Sequence, residues 1–116
     1  MKVMIVDDND DIRAMIRNLL ASSADTFCEC SDGAEALERY TQCHPDWVLM
    51  DARMNEMDGF EATEQILASF PDAKIIMVTQ FDEPSLKRRA LQSGALAFVL
   101  KEKLIDVEGI MKATHN

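Results

Sequence analysis

Asp51 stands at the end of the apolar run Trp47-Val48-Leu49-Met50, and three other short apolar runs also end in residues able to do chemistry. Val3-Met4-Ile5-Val6 leads into Asp7-Asp8, Lys74-Ile75-Ile76-Met77-Val78 into Thr79, and Ala97-Phe98-Val99-Leu100 into Lys101. If these runs are parallel strands, all the polar groups meet at one edge of one sheet. Carboxylates from Asp7, Asp8 and Asp51 brought that close must take up a proton or recruit a cation. Mg2+ is the natural choice, because it takes oxygen ligands, keeps several waters and is held by one or two carboxylates plus a phosphate oxygen. One oxygen of Asp51 then stays free to act as a nucleophile toward phosphorus, giving an aspartyl phosphate. The Lys101 ammonium and the Thr79 hydroxyl are suited to bind the charged phosphoryl oxygens.

The elements that must position these groups follow from the alternation of apolar runs with amphipathic stretches, which predicts strand-helix repeated five times. Ile12, Met15, Ile16, Leu19 and Leu20 repeat with helical spacing behind Asn9 or Asp10 as cap, and Met15 is placed with Met4, Met50 and Met77 at core-facing positions. A second helix is predicted after Asp32, with Glu35 at capping-box spacing, running toward Cys43 before Pro45. Thr26 to Cys30 between them reads as an edge strand containing Glu29. A third helix spans Gly59 to Phe70, and a fourth starts near Pro84 and stops at Gly94. The last, from Leu104 to about His115, puts Leu104, Val107 and Met111 on one face, carries Gly109 in its middle and is expected to be the least stable. Strands one, three, four and five are almost wholly apolar, as a sheet covered on both faces requires. Right-handed crossovers then place the site at the carboxyl ends of the central strands of a three-layer α/β sandwich.

A length of 116 residues fits one domain, taken as residues 1–116, and the net charge of -9 argues against direct nucleic acid or anionic membrane binding. No apolar stretch approaches the roughly 20 residues of a membrane span, and no signal-peptide pattern opens the chain. Cys28, Cys30 and Cys43 are odd in number and lack C-x-x-C spacing, which weighs against both disulfides and zinc and points to small buried thiols in a reducing cytoplasm.

The motif set Asp7-Asp8, Asp51, Met54 with Asp58-Gly59, Thr79, and Gly94-Ala95 leading to Phe98 and Lys101 resembles the receiver domains of two-component response regulators over essentially the whole chain. Each group alone has a plainer reading: Asp7-Asp8 as a solvated capping loop, Thr79 as a β-branched strand residue, Lys101 as a solvated lysine beside Glu102. Their joint order at successive strand ends outweighs those readings. The resemblance implies a flavodoxin-like fold, with five parallel strands ordered 2-1-3-4-5 and five helices, the strand order that receivers share with flavodoxin. It implies Asp51 as phosphoacceptor, Thr79 and Lys101 as phosphoryl partners, and Mg2+ held by Asp8, Asp51 and the Arg53 carbonyl with Asp7 acting largely through water. Thr79 and Phe98 become the switch pair.

The same resemblance implies a sensor histidine kinase or phosphotransfer protein as phosphate donor, and self-catalysed phosphotransfer and dephosphorylation as the only catalysis. A downstream partner or output domain is expected on the face of helix 4, strand 5 and helix 5, where Lys87-Arg88-Arg89 also falls, with a phosphorylation-dependent dimer as a further expectation. Three positions depart from the family. Asn55 and Glu102 replace common prolines, so the Lys101–Glu102 peptide is expected to be trans. Gln80 replaces a small residue and, with Arg53 and Phe81, is expected to border the site and slow its chemistry. That crowding suggests an alternative, a pseudo-receiver that acts as a phosphorylation-independent interaction domain. An aspartate-nucleophile phosphohydrolase would want D-x-D after strand one, and a flavin site would be repelled by Asp7-Asp8.

Overall fold

Every residue of Trp47–Asp51 and Ile75–Thr79 is buried, because these strands lie in the interior of a sheet covered on both faces. The computed structural model describes residues 1–54 and 57–115, so the Asn55-Glu56 part of the predicted turn lies outside the described residues. The strands are β1 (Lys2–Val6), β2 (Thr26–Cys30), β3 (Trp47–Asp51), β4 (Ile75–Thr79) and β5 (Ala97–Leu100). They alternate with α1 (Asp10–Leu20), α2 (Ala36–Cys43), α3 (Gly59–Ser69), α4 (Pro84–Gln92) and α5 (Asp106–His115). The five strands are parallel in the order 2-1-3-4-5, as the resemblance implies.

Side chains alternate across each strand, and this splits the core in two. Met4, Val6, Val48, Met50, Ile75 and Met77 pack under α2, α3 and α4. Val3, Ile5, Leu49, Ile76, Val78 and Val99 pack under α1 and α5, where Ile16, Leu20, Val107 and Met111 meet them. Trp47 joins the second cluster, and Tyr40 joins the first with its ring 4.8 Å from that of Phe70. Both aromatics serve packing.

Caps set the helix starts. The Asn9 side chain accepts from the Asp11 and Ile12 amides, and Asp58 accepts from the Glu61 amide. The predicted second helix begins instead as a 3-10 turn at Gly33–Glu35, capped by Asp32 on the Ala34 amide, before α2 proper. α4 ends at Gln92, and Gly94 adopts φ 106°, a left-handed conformation suited to glycine. The predicted last helix starts late, because Lys101–Lys103 forms a 3-10 turn that keeps Lys101 at the sheet edge. All peptide bonds among the described residues are trans.

Two further sequence expectations are corrected. Met15 is 43 % exposed rather than core-facing, since Ile16 and Leu20 take the buried stripe of α1. Cys28 and Cys43 form a disulfide, because the return of α2 onto edge strand β2 brings together cysteines 15 residues apart. Only Cys30 keeps the buried thiol that composition suggested.

Candidate functional site

Four strand ends supply the site. The pairing register sets Val6 beside Met50 and Asp51 beside Val78, so Asp7, Asp51 and Thr79 leave the central strands at neighbouring points. Thr79 is also level with Leu100, which puts Lys101 one residue farther along the same edge. Asp7, Asp8 and Asp51 each offer a carboxylate oxygen, and these oxygens lie within 4.8 Å of one another. Asp7 and Asp51 are buried, while Asp8 is exposed at the mouth.

Lys101 counters this charge, with Nζ 3.1 Å from Asp7 Oδ2 and 3.5 Å from Asp51 Oδ1. Asp7 also accepts from the Asn9 amide at 2.9 Å, and the Arg53 amide donates to Asp51 Oδ1 at 3.4 Å. Burial first, then the Asp7 carboxylate with a smaller push from Asp8, raises the Asp51 carboxyl to about 6, against the pull of Lys101 and the Arg53 amide. One lysine facing three carboxylates leaves the cluster short of positive charge. Such an all-oxygen donor set fits a hard divalent cation.

A cavity of 170 Å3 opens over Asp51 and is lined by Asp8, Asn9, Arg53, Thr79, Gln80 and Lys101, with Phe81 at its border. The Arg53 guanidinium lies over the Phe81 ring at 4.5 Å, and the Thr79 hydroxyl accepts from the Phe81 amide at 3.2 Å. The three bordering residues expected from sequence are therefore gathered at this cavity. Phe98 is not. It is half-buried beside α4 and lines a separate groove of 530 Å3 with Pro84, Lys87, Lys103, Asp106 and Ile110.

Gly59 shapes the floor, since a Cβ there would stand 2.1 Å from the Asp51 carbonyl oxygen. Its amide donates to the Ala52 carbonyl at 3.0 Å, tying the start of α3 to the strand end. Arg13 is a residue the motifs do not single out. Its Nη1 donates to the Asp7 carbonyl at 2.5 Å, and its Nε pairs with Glu29 at 3.0 Å, so it links the acidic loop to β2. Spacing from Asp10 to Arg13 is a weak signal for it, and the Glu29 contact is visible only in three dimensions. Of the basic run on α4, Arg89 reaches Asp58 at 3.2 Å and lies over the Phe60 ring at 4.3 Å.

The sequence pattern of the response regulator receiver domain matches residues 3–114. The chain is 37% identical to the chemotaxis protein CheY of Listeria monocytogenes, over 97% of this chain and 98% of that protein. It is 36% identical to the response regulator protein VraR of Staphylococcus saprophyticus, over 99% of this chain but 56% of that protein. The chain thus spans about half the length of some of its relatives. Among solved structures, the response regulator domain of Thermotoga maritima CheB superposes with a TM-score of 0.86 at 26% identity, over 100% of this chain and 97% of that one.

Proposed function

The chain belongs to the response regulator receiver domains, and on that footing we propose that it is a phosphorylation-controlled signalling module whose phosphoacceptor is Asp51. The observation that carries this reading is the buried Asp51 carboxylate, 3.5 Å from Lys101 and clustered with Asp7 and Asp8 at the mouth of a small polar cavity. In the proposed reaction an Asp51 carboxylate oxygen attacks the phosphorus of a phosphohistidine on a sensor histidine kinase or phosphotransfer protein. The new O–P bond forms as the P–N bond breaks, and the imidazole leaves.

Asp8, Asp51 and the Arg53 carbonyl would hold Mg2+, with Asp7 contributing largely through water. Bound there, the ion supplies positive charge for the phosphoryl oxygens. Lys101 is positioned to take one of those oxygens, and doing so would exchange its pairing with Asp51 for a phosphoryl contact. The Thr79 hydroxyl is free to donate its proton to another, since its present bond is one it accepts. Movement of Thr79 would leave room for Phe98, and the groove beside Phe98 is the proposed face for a downstream partner, output domain or second copy. The work of such a module lies in the cytoplasm. Its only catalysis is its own phosphorylation and dephosphorylation.

A second reading, a pseudo-receiver, is favoured by one observation: Arg53, Gln80 and Phe81 all border the cavity, and Arg53 is stacked on Phe81. Beryllofluoride with Mg2+ separates the two. The amides of Ala52, Arg53, Gln80 and Lys101 should shift in NMR spectra of the wild type and not of Asp51→Asn. No shift in the wild type supports the pseudo-receiver, and an equal shift in the mutant removes Asp51 from the role. Trp47 lies at the far end of β3 from Asp51, so its fluorescence is the less sensitive reporter.

A further inference from the structure

The Cys28–Cys43 pair plays no part in the phosphoacceptor site, yet it is not sealed in the core. Cys28 lies on edge strand β2 and is half-buried, and Cys43 is the last residue of α2, whereas Cys30 two residues along β2 is buried. A cavity of 360 Å3 opens beside the two cysteines, with Thr26, Gln42, Lys2 and Arg39 among its walls. Lys2 and Arg39 are the charged residues of its lining, and Lys2 Nζ donates to the Cys43 carbonyl at 2.8 Å.

Thiol–disulfide exchange needs a thiolate to reach one sulfur, so a pair lining a surface cavity has the geometry of a labile bond. Cationic walls raise the local concentration of anionic reactants. In the cytoplasmic setting of the proposed function, which is reducing, disulfides are usually transient or redox-sensing, and the inference rests on that setting. We propose that Cys28–Cys43 is a reversible modification site, opened and closed by small thiols that carry carboxylate groups.

The small thiolate attacks one sulfur of the pair, an S–S bond forms to it, and the Cys28–Cys43 bond breaks. The released cysteine leaves as a thiolate and takes a proton from water. A second small thiolate then attacks the sulfur of the first, frees the other cysteine and departs as the symmetrical small disulfide. Two electrons pass from two small thiols to the protein, and the oxidised small disulfide drives the reverse. Opening releases the last turn of α2 from β2. β2 stays paired with β1, and its Cys30 carbonyl accepts from the Asp7 amide at 3.1 Å, so the strand borders the acidic loop. This inference does not depend on Asp51 being phosphorylated.

The test equilibrates the native full chain with reduced or oxidised glutathione, then alkylates it with iodoacetamide and weighs it. Reduced glutathione should give two labels, on Cys28 and Cys43, while oxidised glutathione should give none and leave the chain two hydrogen atoms lighter than the unlabelled reduced chain. Mixed glutathione adducts without the internal bond, or an internal bond that excess glutathione opens only after denaturation, would overturn the proposal. The double variant Lys2→Gln/Arg39→Gln should slow reduction by glutathione at least about threefold more than reduction by 2-mercaptoethanol, whose thiolate lacks the carboxylates and carries one negative charge less. Equal effects on both reagents would overturn the preference for anionic thiols.

Discussion

In its proposed role Asp51 must be ionised to attack phosphorus, yet burial and the Asp7 carboxylate resist its ionisation and raise its carboxyl to about 6. A group whose folded value lies above its unfolded one near 3.8 binds more protons folded than unfolded between those values, so its ionisation erodes stability as pH rises through that window. Asp51→Asn removes the cost. In metal-free buffer at pH 7 the variant should be more stable than the wild type by about 1–2 kcal/mol after allowing for solvent screening. Urea denaturation should show the difference shrinking toward pH 4, and a constant difference would contradict the electrostatic cause. Gly59 is the second residue on which the site turns. Gly59→Ala should cost about 1–3 kcal/mol, because the new Cβ meets backbone rather than a flexible side chain. At Gln80, substitution by alanine should speed both labelling by acetyl phosphate and loss of the label. Unchanged rates would remove Gln80 from any gating role.

Elements explain which of these features were legible in the sequence. Strands that are apolar on both faces announce themselves, and each polar residue at their ends then has one place to go. Asp7, Asp8, Asp51, Thr79 and Lys101 converge for that reason. Helix faces were legible where the apolar stripe was narrow, as at Val107 and Met111 of α5, and less so on α1, where five apolar residues competed for a stripe that seals only Ile16 and Leu20. The Cys28–Cys43 bond could not be read, because spacing does not reveal that the end of α2 returns to the edge strand. Arg13 was hidden likewise, since its partner Glu29 belongs to a different element. The disulfide gives a prediction at this scale. Opening a loop with a sequence separation of 15 should lower stability by about 3 kcal/mol on chain-entropy grounds. Cys28→Ser/Cys43→Ser should match the reduced wild type in denaturation, and a variant as stable as the oxidised protein would show that the bond contributes nothing.

For the whole molecule, the 2-1-3-4-5 order joins two surfaces through shared strands. The acidic cavity lies over the ends of β1, β3, β4 and β5, and the groove beside Phe98 lies on the flank of α4, β5 and α5. β4 and β5 connect the two, with Met77 paired to Phe98 and Thr79 to Leu100. Arg89 adds a second link, from α4 to the Asp58 cap of the helix that begins beneath Asp51. In the proposed account, a charge added at Asp51 would reach the partner face through these contacts. Everything in that account depends on Asp51 taking the phosphoryl group. The most direct measurement is intact mass after incubation with acetyl phosphate and Mg2+, followed by peptide mapping of the labelled residue. The wild type should gain one phosphoryl group on Asp51, and Asp51→Asn should gain none. Labelling elsewhere, or equal labelling of the variant, would contradict the account.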